Sequence, residues 1–417
     1  MTKQRKRWLA IVLTALNACG DDPDPVSLPT TPSPPSGAAL GTLMGTIDGV
    51  RQLSADTTYT LQGLVTVAAG GELRVAAGAT VLGSTAITPT ALIVEQGGKI
   101  FSQGTAEAPV VFTSASEPGA RGRGNWGGIA VFGRAPCNSD TQPCVDPDLG
   151  HFFGGDSAMD SSGAITYTRI EFCGDEIIFG EPADCMRLSG VGAGTQLHHI
   201  QVHEGEGDGF EINGGTFDLK YAVATGITDD AFDYDLGWSG RGQFWITQQE
   251  PATSDWAYQA DNNDLDFDAE PRTEPTIYNA TLVGGGMLMR FGVGGRLLNH
   301  IVTVTGEPVL DIDDPETAER LEIRNSIVHG TFEDEGDGID AGAFAMTEGW
   351  NNQVVDPGLV DPHSTSAPDF RPAAGSPARA AGTEPPADDF FTPVDYIGAA
   401  APDGDEWYRG WTSFERR

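Results

Sequence analysis

Between residues 59 and 113, apolar and polar positions alternate over runs of four or five residues, and glycines break each run. The strings are YTLQGLVTVAAGGELRVAAGATVLGS and then ALIVEQGGKIFSQGTAEAPVVFTS. A period of two predicts half-buried strands, and these runs are too short and too numerous for helices. Further along, a longer period emerges. A shift of 22 residues places Leu197 on Leu219, Asp208 on Asp230, Phe210 on Phe232, Glu211 on Asp233 and Gly215 on Gly237. A third set, IYNATLVGG, LLNHIVTVT and IRNSIVHG, carries asparagine at its third position, as Asn279, Asn299 and Asn325.

Repeats of about 20 to 26 residues with three short strands each predict an all-β fold, a single-stranded right-handed parallel β-helix solenoid. Leucine-rich repeats share the period, but their leucine spacing is absent, and a propeller blade needs roughly twice the length. Equivalent positions on successive coils would lie about 4.8 Å apart, so the asparagines should stack and hydrogen-bond up a corner. The stretch around Gly41–Tyr59 is expected to cap the first coil, whose open edge otherwise invites strand addition.

Composition sets the context. The chain has 417 residues with 24 Lys+Arg against 60 Asp+Glu, a net charge of −36, and 39% hydrophobic residues, enough for a packed core. Such an acidic surface excludes nucleic acid and anionic headgroups as partners and suits cations or neutral polymers. Residues 1–18 read as a signal peptide, with Lys3, Arg5, Lys6 and Arg7 before a short apolar stretch. It ends in Leu16-Asn17-Ala18-Cys19, which resembles the bacterial lipobox and makes Cys19 the lipidated residue; an ordinary secretory peptide containing a cysteine is the alternative. Residues 19–40 form a Pro-rich tether and 41–417 the β-helix domain with its C-terminal tail. Removing the signal takes away four basic residues and no acidic ones, leaving −40. The lipid would then tie the protein to a bacterial membrane, expected to be the outer membrane or cell surface.

Cys137, Cys144, Cys173 and Cys185 remain, and export to an oxidising compartment favours disulfides over zinc or redox chemistry. Three pairings are open; the local loops Cys137–Cys144 and Cys173–Cys185 are the expected ones.

The strings GGKIFSQGTAEAPVVFTS, NWGGIAVFGRAP, DDAFDYDLGWSGRGQF and DFRPAAGSPA resemble a group of bacterial cell-surface β-helix lipoproteins across roughly residues 41–411. That resemblance implies a fold and a location rather than an activity. Candidate chemistry concentrates in residues 203–238. Asp208 stacks on Asp230 and Glu211 on Asp233, with Asp229 and Asp235 alongside. Ionised carboxylates about 5 Å apart repel unless one is protonated or a cation lies between them, and such oxygen ligands suit Ca²⁺. The Asp229-Asp230-x-x-Asp233 run with Asp208 one coil earlier is similar to the calcium site of family 9 pectate lyases. The alternative is a solvated acidic face: Phe210, Ile212, Phe232 and Tyr234 share inward parity, leaving Glu211, Asp233 and Asp235 outside and placing Asp208 and Asp230 at a corner.

A lyase also needs a base, a lysine some three dozen residues downstream in that family. Here only Lys99 and Lys220 follow the signal, and neither stands there, so Arg272 or Arg290 would have to serve. Uronic-acid polymers would be repelled unless calcium bridged them. The sequence therefore points to a calcium-binding, non-catalytic scaffold facing a polysaccharide or partner surface, with a polysaccharide lyase using an arginine base as the alternative. Three weaker features complete the set: His199, Gln201 and His203 with Glu204 as a metal-binding strand, the run Asp261–Asp268 as a calcium loop, and Trp238, Trp245 and Trp256 as sugar-stacking platforms. No GxSxG, HExxH, Walker or dinucleotide motif is present.

Overall fold

The computed structural model describes residues 39–415, except 140, 147–148, 178–181 and 334–338. The signal peptide, Cys19 and nearly all of the tether lie outside the described residues.

The alternating strings fold as expected. Each coil contributes three strands, and each strand pairs in parallel with its equivalents on neighbouring coils, giving three faces of one continuous sheet. The third face carries the acidic repeats. It runs through Ala91–Val94, Ile129–Phe132, Met186–Ser189, Phe210–Asn213, Phe232–Asp235, Tyr258–Asp261 and Met287–Arg290. Leu197 pairs with Leu219 and Phe210 with Phe232, which is the 22-residue register. Phe210 lies flat on Phe232 at 4.7 Å, and Trp245 stacks on Phe232 at 4.4 Å, all within the interior. Burying each such ring contributes roughly 1.5–3 kcal/mol, so the stack fixes the register of the polar positions outside it.

First and second faces, the segments before and after His199 in Gln196–His203 and Tyr221 in Leu219–Thr225, meet at a corner where the chain enters the left-handed region. Asn279, Asn299 and Asn325 have φ of 57°, 57° and 48°, and Asn351 continues the ladder at 59°. Asparagine is the ordinary residue that tolerates this conformation. On earlier coils the same corner is taken by Tyr167, His199, Tyr221 and Phe244, again at positive φ. Their rings stack in succession at 4.1, 4.3 and 5.1 Å. The asparagine amides do not simply bond to one another. Asn351 Nδ2 does reach Asn325 Oδ1 (3.4 Å), but Asn279 donates to the Tyr396 carbonyl and Asn299 to the Thr383 carbonyl.

Those carbonyls belong to a C-terminal segment folded back over the second face. It buries Val223, Ile246 and Val283 beneath Phe370, Tyr408, Trp411 and Phe414. The stretch expected to cap the helix is instead its first rung: Ala39–Ile47 pairs with Thr57–Val67, and Leu40 and Met44 are exposed. The disulfides are the local ones, Cys137–Cys144 and Cys173–Cys185. No helix among the described residues is long and apolar enough to cross a membrane.

Candidate functional site

Where the chain turns from the second face to the third, successive coils place an aspartate at the same position. Asp184 Oδ1 accepts the backbone N–H of Asp208 (3.0 Å), Asp208 Oδ1 that of Asp230 (2.9 Å), and Asp230 Oδ1 that of Trp256 (2.7 Å). This resolves their inward parity: they sit at a bend, each carboxylate satisfying an amide of the next coil. The ladder brings Asp208, Asp229 and Asp230 together with ligand oxygens within 4.8 Å of one another, and Asp184, Asp208 and Glu211 likewise. The donors are all carboxylate oxygens, so the clusters can hold a hard cation. Desolvation, with Asp184 and Asp230 adjacent, pushes the Asp208 carboxyl well above its ordinary range.

On the third face itself, two outward columns follow the corner. The first holds Arg187, Glu211, Asp233 and Gln259; the second holds Ser189, Asn213, Asp235, Asp261 and Arg290. This is not the solvated face of the alternative reading. Glu211 is buried and Asp233 and Asp235 half-buried. An insertion carrying the Cys137–Cys144 disulfide covers the edge of the face. Asn138 N–H donates to the Leu236 carbonyl, and a Cβ on Gly214 (φ +63°) would lie 2.9 Å from Cys137 Cβ, so glycine permits the close approach.

Burial pushes Glu211 up to about 8, against the opposing pull of Arg187. Asp233 and Asp235 are raised by desolvation and then by Glu211 and Asp261. Partial compensation exists. Arg187, buried, bonds Asp146 at 2.9 Å, pairs with Asp184 and lies 3.8 Å from Glu211. Asn213 Nδ2 donates to Glu211 (2.8 Å) and Gln259 Nε2 to Asp233 (2.6 Å).

The structure thus brings Asp208, Asp229 and Asp230 together and places Asp233 one strand onward, outside either three-carboxylate group. Arg290 is held bidentately by Asp261, at 2.8 and 3.1 Å, and the pairing raises its pKa. Arg272 is buried, donating to the carbonyls of Phe267 and Gly292 and to Asp268. Lys220 is bound by the Phe390 carbonyl and Thr392. His199 is packed between Tyr167 and Tyr221, while His203 joins Thr225 and the Glu415 carbonyl, so the two histidines do not converge. Glu204 pairs with Arg123 and Gln201 bonds Ser413. Trp238 and Trp245 are core residues and Trp256 is half-buried. The loop from Asp261 is organised by Asn262 and Asn263 and by the Asp268 ion pairs with Arg272 and Arg320, with no three-carboxylate cluster among its described residues.

Sequence reasoning missed Asp184, Arg187 and Asp146. The first two were readable: DCMRLS, DGFEIN and DAFDYD share the pattern Asp-x-apolar-x-apolar-x. Asp146 lies in the insertion, where no repeat guides the eye.

Compared with known proteins, residues 45–341 match the family model of the pectate-lyase-like beta helix domain. No curated protein and no solved structure matches the chain.

Proposed function

The chain belongs to the pectate-lyase-like beta helix domain family, and on that premise we propose that it is a lipid-anchored surface protein whose acidic corner binds Ca²⁺. The observation that carries this reading is the convergence of Asp208, Asp229 and Asp230. Asp233 and Glu211 lend further negative charge from the adjoining strands. A cation there relieves the mutual repulsion of the three carboxylates, one of which, Asp208, burial has already made costly to ionise. The ion then acts in two ways: it joins consecutive coils, and it presents positive charge on an otherwise acidic surface, where a carboxylated polysaccharide or partner could be bridged. The signal segment and Cys19 supply the anchor at the bacterial outer membrane or cell surface.

Binding rather than catalysis is the favoured role. A lyase base must be deprotonated beside the cation. Arg290 and Arg272 are instead engaged as cations by carboxylates and carbonyls, and Lys220 is tied to the C-terminal segment.

Calorimetric titration of calcium tests the reading. Ligands from neighbouring coils converge only in the folded chain, so binding raises stability by RT ln(1 + [L]/Kd), about 2.7 kcal/mol at a hundredfold excess over Kd. Asp230→Ala should abolish the corner's share of that response and Asp233→Ala should weaken it, whereas His203→Ala should leave it intact. A wild type with no saturable uptake refutes the proposal.

A further inference from the structure

The second outward column of the third face carries two oxygens that the corner does not use. Asn213 Oδ1 and Asp235 Oδ1 are both buried and have no hydrogen-bond partner. Asn213 is only 1% exposed, and its Nδ2 is already committed to Glu211 and Ser189. The two residues are in register on adjacent coils, where ladder spacing brings equivalent atoms to about 4.8 Å. Buried acceptors left unmade are costly, and two of them side by side have no donor to share. What satisfies a pair of acceptor oxygens is a shared proton or a cation, and a cation also answers the surplus of carboxylates around them.

We infer that a second hard cation binds on the third face, between the Asn213 amide oxygen and the Asp235 carboxylate, separate from the aspartate corner. An amide carbonyl beside a carboxylate is a donor set suited to a hard divalent ion such as Ca²⁺, which completes its shell with water. The charges around the site agree. Asp235 faces Glu211, Asp261 and Asp146 with Arg187, and Asp261 is in turn held by Arg290. Carboxylates outnumber arginines there, and the insertion over Gly214 limits how far water can screen them. The ion would link the strands Phe210–Asn213 and Phe232–Asp235 on their outer side, while the stacked Phe210 and Phe232 rings link them inside. None of the residues named as direct ligands belongs to the corner, so the inference stands apart from it.

Stoichiometry decides the matter. Calcium is titrated into the full folded domain at neutral pH, with bound ions counted by native mass spectrometry. Two equivalents are expected for the wild type, one for Asp235→Asn and for Asn213→Ala, and one for Asp230→Ala. Asp235→Asn conserves side-chain shape, and an unchanged far-ultraviolet spectrum certifies its fold. A wild type that takes up a single ion, lost in Asp230→Ala and kept in Asp235→Asn, overturns the inference; it would mean that the Asn213 amide turns to donate to Asp235. A single ion lost in Asp235→Asn but kept in Asp230→Ala supports this site and removes the corner instead. No uptake at all removes both.

Discussion

Replacing Arg187 by methionine should convert the acidic face from a tolerated charge cluster into an unstable one. Arg187 is 4% exposed, and its guanidinium is the buried cation shared by Asp146, Asp184 and Glu211. Asp146 is fully buried and also accepts from the Ser189 hydroxyl and the Leu149 N–H, both neutral donors. Methionine preserves the aliphatic stem, so the change isolates charge from packing. Removing one partner of a buried ion pair costs about 3–5 kcal/mol, a large fraction of the 5–15 kcal/mol that holds a domain together. The assay is urea denaturation followed by tryptophan fluorescence in EDTA at pH 7.5, repeated at pH 5. The sign follows from linkage. With Arg187 gone, the folded state holds Glu211, which burial already raises to about 8, further above its unfolded value and so binds more protons, and acidification must narrow the gap between variant and wild type. Excess calcium at pH 7.5 should narrow it as well. A variant within 1 kcal/mol of wild type at pH 7.5, or a deficit indifferent to pH, would refute the charge balance drawn here.

Two other outcomes follow. Burial holds His300 down to about 4, below its ordinary 6.5. Its contribution is therefore complete above pH 6.5 and lost as pH falls toward 4, at up to about 1.4 kcal/mol per pH unit; thermal melts should show this acid limb flattened in His300→Leu. Cys19→Ala should release soluble protein where the wild type fractionates with membranes, and an unacylated, membrane-free wild type by mass spectrometry would contradict the anchor.

The parts of the fold legible in the sequence are those where one side chain repeats its environment coil after coil. The 22-residue shift aligned Phe210 with Phe232 and Asp208 with Asp230 because both pairs occupy the same place in consecutive turns. The Asn279–Asn299–Asn325 ladder was visible because one residue type met one backbone need. Its upper half was not, since His199, Tyr221 and Phe244 meet the same need through ring stacking rather than amide chemistry. That is also why the alternation of His199, Gln201 and His203 suggested a metal strand where the chain instead turns a corner. Burial of the acidic face escaped notice for a different reason. Parity says which way Glu211 points, but not that residues far earlier in sequence cover it, and Asp146 reaches Arg187 from that insertion. The C-terminal segment over Gln201 and His203 is hidden in the same way, by contacts more than two hundred residues apart.

A parallel β-helix multiplies whatever its repeat contains. Stacking that aligns Phe210 with Phe232 inside must align Glu211 with Asp233 outside, because neighbouring residues on a strand point to opposite faces. An apolar column gains from this and an acidic column loses, so the acid must be interrupted or neutralised. Both remedies are visible at the ends of the two columns. Arg187 heads the first, above Glu211 and Asp233, with Gln259 closing it by a hydrogen bond rather than another charge. Arg290 closes the second, clamped on Asp261. Between those ends, at Asp233 and Asp235, and along the neighbouring Asp184–Asp208–Asp230 corner, no arginine interrupts the stack. At Asp208, Asp233 and Asp235, burial and mutual repulsion also push the carboxyls well above their ordinary range. A proton can neutralise such a centre only at the expense of its anionic character. A divalent cation neutralises it and joins the coils at once, which is the physical reason to seek calcium at the middle of these columns rather than along the rest of the acidic surface.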